Sequence, residues 1–144
     1  MTPDALARAC ADAMWADDPA SRSLGMALEA VAPGRARLAM TVRPEMVNGH
    51  GLCHGGYIFT LADSAFAFAC NTYNERVVAQ HCSVTYVRPG RLGMHLVAEA
   101  VERSRAGRSG IYDVTVRGDD GSVIAEFRGH SRGLGSRFFE EVTP

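Results

Sequence analysis

Residues 44–71 read PEMVNGHGLCHGGYIFTLADSAFAFACN, and this stretch decides the fold. Its first part, Pro44 to Gly56, is rich in glycine and histidine and reads as a loop. Its second part, residues 57–71, holds no glycine or proline, is dense in alanine, and continues too long for an ordinary strand. Those residues are apolar nearly all round, which predicts a helix buried on most of its surface. From Met46 to Asn74 the only formal charge is Asp63, set in the middle of that helix.

Outside this stretch the period changes. Toward the N-terminus, Thr2 can cap a helix with Pro3 at its first position, and Leu6, Cys10, Ala13 and Met14 share one face until Asp17-Asp18-Pro19 ends it. Leu24–Ala32 and Arg35–Arg43 flank the turn signal Pro33-Gly34; in the second, Ala36, Leu38, Met40 and Val42 alternate with polar residues, which predicts a hairpin. After Asn74 four strand patterns follow: Val77–Val87, Met94–Arg103, Gly110–Arg117 and Ser122–Arg132, with Gly118-Asp119-Asp120-Gly121 as a tight turn. One buried helix among six antiparallel strands predicts an α+β fold in which the sheet curls around the helix. The boundaries expected are an N-terminal helical arm over 1–22, the main domain over 23–133 and a tail over 134–144. A sheet of this kind leaves free edges, so oligomers are expected.

Composition bounds the function. The chain has 144 residues, 47% hydrophobic and 22% charged, which suits one globular domain. A net charge of −1 supplies no basic field for nucleic acid or an anionic membrane. All 15 basic residues are arginine, which removes lysine chemistry. No stretch reaches the ~18 consecutive apolar residues of a membrane helix, and the first residues do not form a signal peptide. Cys10, Cys53, Cys70 and Cys82 are too scattered for a disulfide scaffold. The expectation is a soluble, reduced, cytoplasmic protein without partners among nucleic acids or membranes.

Asp63 is the first candidate for chemistry, because a carboxylate on a buried helix must be paired, hydrogen-bonded or raised in pKa. The structural alternative is a polar stripe with Thr60 and Ser64, Asp63 meeting an arginine from the sheet. Gly55 and Gly56 stand where loop becomes helix, so unpaired N–H groups there can polarise a carbonyl, although glycines also serve plain loops. Gly55 and Asp63 lie about 12 Å apart along a helix axis. If both act on one small carbonyl, Asp63 must come from a second subunit.

N-G-H-G-x-C-H-G-G, then L-A-D-x-A, then a strand ending Y-V-R-P-G, resembles the hotdog-fold acyl-CoA thioesterases, nearest to their phenylacetate-degradation branch, which acts on ring-hydroxylated phenylacetyl-CoA. The resemblance covers roughly residues 24–132. It implies a six-stranded antiparallel sheet wrapped around one helix, at least a dimer and by likeness a tetramer. It implies Asp63 as catalytic carboxylate, nucleophile or general base for water, and Gly55 as the amide that polarises the thioester carbonyl. It further implies Asn48 as the side chain orienting water, and His54 as a brace for the helix start. Position 67 is Ala where a related branch carries a hydroxyl, and Ser64 stands where Thr is common.

The expected reaction is hydrolysis of an arylacetyl-CoA, such as hydroxyphenylacetyl-CoA, to free acid and coenzyme A, with no cofactor beyond the substrate's own coenzyme A. Gly56, with Arg88, Pro89 and Arg91 in one loop and Arg108 and Ser109 in another, would meet the substrate and its phosphates. The spacing of His50, Cys53, His54, His81 and Cys82 matches no zinc pattern, so no metal is expected. Two alternatives remain: a dehydratase or hydratase of the same fold using His54 with Asp63, and a non-catalytic acyl-CoA-binding module.

Overall fold

In the computed structural model, residues 1–141 are described. The Thr2 hydroxyl accepts from the Ala5 N–H at 3.1 Å and opens α1, Pro3–Ala16. Its buried face is Ala7, Cys10 and Ala11, while Ala13 is exposed. The face expected from Leu6, Cys10, Ala13 and Met14 is therefore rotated, because three small residues let the helix lie close against the domain. Asp17-Asp18-Pro19 ends α1 and at once starts α2, Pro19–Ser23, capped by the Asp18 carboxylate on the Ser21 N–H at 3.0 Å.

The expected hairpin is β1, Ala27–Ala32, and β2, Arg35–Thr41. A short 3-10 turn at Pro44–Met46 precedes the loop, and the long helix α3 spans Gly55–Cys70. Then come β3, Val77–Tyr86, β4, His95–Ala106, β5, Ser109–Arg117, and β6, Val123–Gly133. Val123 to Gly133 is the last strand, and the final three residues of the expected tail lie outside the described residues. The six strands form one antiparallel sheet in the order β1-β2-β4-β5-β6-β3. Between β4 and β5 the strands run on through most of SRAGRS, leaving a turn at Gly107 with φ +60°.

The sheet wraps α3, whose Ile58, Leu61, Ala62, Ala65, Phe66, Phe68, Ala69 and Cys70 are buried. Opposite them the strands turn inward Leu38, Met40, Leu96, Val114, Val116 and Ile124, all nearly inaccessible. Closest approach falls at Gly129 of β6: a Cβ there would sit 2.7 Å from the Phe66 ring. Phe66 in turn packs between Tyr112 and Phe127, ring centres 5.7 and 5.8 Å away. At the helix end, Asn71 donates to the carbonyls of Ala67 and Val77 and accepts the Val77 N–H, which stops α3 and launches β3. No helix is long and apolar enough to cross a membrane among the described residues. All four cysteines are free.

Candidate active site

Helix α3 begins at Gly55, two residues before the apolar run. Glycine is tolerated there because the first turn of a helix has no intrahelical hydrogen bonds for its N–H groups to make. His54, at φ −57° and ψ 136°, turns the chain into the helix. Its N–H donates to the Met46 carbonyl at 2.8 Å and its carbonyl accepts the Tyr57 N–H at 3.1 Å. The imidazole itself is exposed and makes no hydrogen bond within the described residues. The brace is thus the His54 backbone, not its ring. The N–H groups of Gly55 and Gly56 meet no acceptor among the described residues. At the positive end of α3 they form a ready donor pair for a carbonyl oxygen gaining charge.

Asp63 sits two turns further along. It is half-buried, and it has neither ion pair nor hydrogen bond among the described residues. The expected structural alternative, an arginine from the sheet, is absent: the sheet arginines near an acid pair elsewhere, as Arg103 and Arg128 do on Asp113. Burial pushes the Asp63 carboxyl above the ordinary Asp range. Its charge reaches the neighbouring thiols, since Cys70 and Cys82 are raised by burial first and by Asp63 as well, Cys70 to about 12. Beside it Ser64 shares a 2.8 Å hydroxyl–hydroxyl hydrogen bond with Ser21 of α2, whose hydroxyl reaches Asp18 at 2.7 Å. The N-terminal arm is therefore tied to the residue next to the carboxylate.

Asn48 is committed to its own loop. Its Oδ1 accepts from the N–H groups of His50, at 2.9 Å, and Leu52, at 3.2 Å, while its Nδ2 meets no acceptor among the described residues. A shallow cleft of about 370 Å³ opens beside Gly55, lined by Cys53, Ile58, Tyr86, Val87, Arg88 and Pro89. Arg88 is exposed and donates to the Val123 carbonyl at 3.0 Å, and exposed Arg91 bridges to Leu52. Arg108 and Ser109 stand at the other end, near Cys70 and Glu75. The two arginine loops are thus separated by the length of α3, about 24 Å, and do not meet within one protomer. Likewise His54 and Asp63 of one chain lie about 13 Å apart along the axis. His81 meets His130 edge to face with ring centres 5.5 Å apart, on β3 and β6 rather than in the loop that carries His50 and His54. No group of three or more His, Cys, Asp or Glu side chains placed to hold a metal occurs among the described residues.

Tyr86 is the residue that sequence reasoning passes over. It closes an ordinary strand pattern, yet its hydroxyl donates to the Gly55 carbonyl at 2.9 Å.

A family model described as Thioesterase superfamily matches residues 50–125, more than half of the chain and all of α3. The chain belongs to the thioesterase superfamily. This thioesterase is 39% identical over 132 residues to the acyl-coenzyme A thioesterase PaaI of Escherichia coli, covering 92% of this chain and 94% of that protein. The structure of the Escherichia coli PaaI protein, from the phenylacetic acid degradation operon, superposes with a TM-score of 0.93 at 37% identity, over 94% of this chain and 99% of that one. A mutant form of phenylacetic acid degradation protein PaaI from Thermus thermophilus gives 0.78 at 39%, over 81% of this chain and all of that one. The six-stranded sheet around one long helix is the hotdog fold of these proteins. The thioesterase is accordingly an enzyme that hydrolyses thioesters.

Proposed function

We propose that this thioesterase hydrolyses arylacetyl-CoA thioesters, hydroxyphenylacetyl-CoA among them, to the free acid and coenzyme A. The observation that carries the reading is Asp63: a half-buried carboxylate with no partner among the described residues, raised by burial, on the helix whose Gly55 and Gly56 N–H groups are likewise unengaged there. With no partner among the described residues, its oxygens stay open to water and substrate. The Gly55 amide receives the thioester oxygen as negative charge develops on it. Asp63 supplies the nucleophile, its own oxygen or a water that it deprotonates, and the thiolate of coenzyme A leaves and is protonated. Asn48, through its Nδ2, orients the water. The arylacetyl preference is supported by the sequence likeness to the phenylacetate-degradation proteins.

The 12 Å between Gly55 and Asp63 of one helix calls for two subunits. The free edge of β3 offers the seam. This strand is ten residues long, carries no formal charge, and is mostly exposed, with Val78 and Tyr86 each nearly half accessible. Such an edge is a template for pairing. A two-fold axis there lays the two copies of α3 antiparallel, so that Gly55 of one approaches Asp63 of the other. It also draws Arg88 and Arg91 from one subunit toward Arg108 and Ser109 of its partner, the grouping that a phosphate-bearing substrate needs.

The test is thiol release from hydroxyphenylacetyl-, phenylacetyl-, benzoyl-, acetyl- and palmitoyl-CoA. Release confined to the aryl thioesters supports the reading, and release across all five discards the specificity. Release from none, with hydration of a crotonyl thioester instead, replaces the hydrolysis by the hydratase reaction.

A further inference from the structure

Strand β3 ends over the start of α3, where the Tyr86 side chain meets Gly55. The Tyr86 hydroxyl donates to the Gly55 carbonyl at 2.9 Å, and a Cβ on Gly55 would lie 2.8 Å from the Tyr86 Cζ and 3.0 Å from its hydroxyl oxygen. The end of the ring therefore lies so close to Gly55 that any side chain there would push it aside. We propose that Tyr86 is a positioning residue for hydrolysis, locking the Gly55–Gly56 peptide so that the first amides of α3 face the thioester oxygen. This rests on the reading of the α3 N-terminal amides as oxyanion donors, the Gly56 N–H beside that of Gly55.

The physical link is short. A peptide is planar, so a hydrogen bond fixing the Gly55 carbonyl also fixes the direction of the Gly56 N–H on the opposite side of the same plane. Two successive glycines are the least constrained way to begin a helix, and this is where an external clamp has most effect. Donation into the carbonyl also polarises the amide and strengthens its N–H as a donor. Tyr86 is 47% exposed in the single chain, so the bond contributes little to the stability of the protomer.

Tyr86→Phe tests this, because it keeps the ring and removes only the hydroxyl. Thiol release is measured at saturating and limiting substrate, alongside the affinity for free coenzyme A and the melting temperature. The expected result is a kcat lower by about five- to tenfold, the loss of one modest hydrogen bond realised in the transition state. KM, coenzyme A affinity and melting temperature stay at wild-type values. An unchanged kcat, or a loss confined to KM, overturns the proposal. Gly55→Pro, measured in parallel, keeps the two readings apart: if it retains wild-type turnover, the donor reading itself fails, whereas an inactive Gly55→Pro beside a fully active Tyr86→Phe removes only Tyr86.

Discussion

Gly55→Pro removes one hydrogen-bond donor and adds a Cβ that crowds the Tyr86 ring. Gly55 is the first residue of α3, where proline is well accommodated because the N–H has no helical acceptor. His54 at φ −57° and ψ 136° already has the extended conformation that a following proline demands. The Gly55 N–H has no acceptor to lose among the described residues. The new Cβ would lie 2.8 Å from the Tyr86 ring, whose half-exposed end must swing outward. Gly55→Ala carries the same Cβ but keeps the N–H, so the pair separates the clash from the donor. Loss of an oxyanion donor lowers kcat by about 10²- to 10³-fold, or roughly 3–4 kcal/mol of transition-state stabilisation. Gly55→Ala, losing only the Tyr86 contact, falls by about tenfold or less. Steady-state thiol release with circular dichroism to confirm folding gives both numbers. Equal activities for Pro and Ala within about threefold would refute the argument, since the N–H would then contribute nothing.

Three further outcomes follow from the same geometry. Asp63→Asn lowers kcat by about 10²- to 10⁴-fold while leaving the protein at least as stable as wild type at pH 7. The folded carboxyl is raised above its unfolded value, so the wild type loses stability as pH rises from about 4 through the folded value, and the neutral Asn does not. A lower melting temperature for Asp63→Asn at pH 7, or wild-type turnover, contradicts this. In the core, Gly129→Ala drives a methyl into Phe66, which Tyr112 and Phe127 hold in place, and costs about 1–3 kcal/mol, read as a melting point lower by roughly 3–10 °C. On the outer face, hydrogen bonds from Arg128 and Arg103 hold the Asp113 carboxyl down at about 2. Asp113→Asn costs about 1 kcal/mol at neutral pH, solvent screening keeping it in the range of surface pairs, and urea titrations should show the difference vanish as pH falls from about 4 to 2.

The long helix and the strands are legible because burial writes periodicity into sequence: residues 57–70 are apolar on most sides because the sheet covers them, Thr60, Asp63 and Ser64 marking the half-buried face. The start of α3 is less legible. Gly55 and Gly56 have poor helix propensity, but at the first turn they replace no hydrogen bond and the loop chemistry before them dominates the pattern. Helix α2 hides in Asp17-Asp18-Pro19, where one signal both stops a helix and starts the next. The β4–β5 connection reads as a six-residue linker because arginine and serine are polar on either side of a strand turning into solvent. In the site, Asp63 and Gly55 stand out by residue type and position, and Asn48 and His54 by the family resemblance, while their division of labour does not show. Only the fold shows that the His54 ring is unengaged, that the Asn48 oxygen belongs to its loop, and that Arg88 and Arg108 lie at opposite ends of α3. Tyr86 is invisible in the sequence because its role depends on a strand end and a helix start, 31 residues apart, meeting in space.

The central claim, that Gly55 of one subunit and Asp63 of another form one site, is tested most directly by mixing two inactive variants. Gly55→Pro keeps Asp63, and Asp63→Asn keeps Gly55. Unfolded together and refolded at equal concentration, half of the dimers are mixed and each holds one intact site, so thiol release should return to about a quarter of wild type. Activity that stays at the level of the separate variants, with mixed dimers demonstrated by mass spectrometry, would show that both groups act within a single chain.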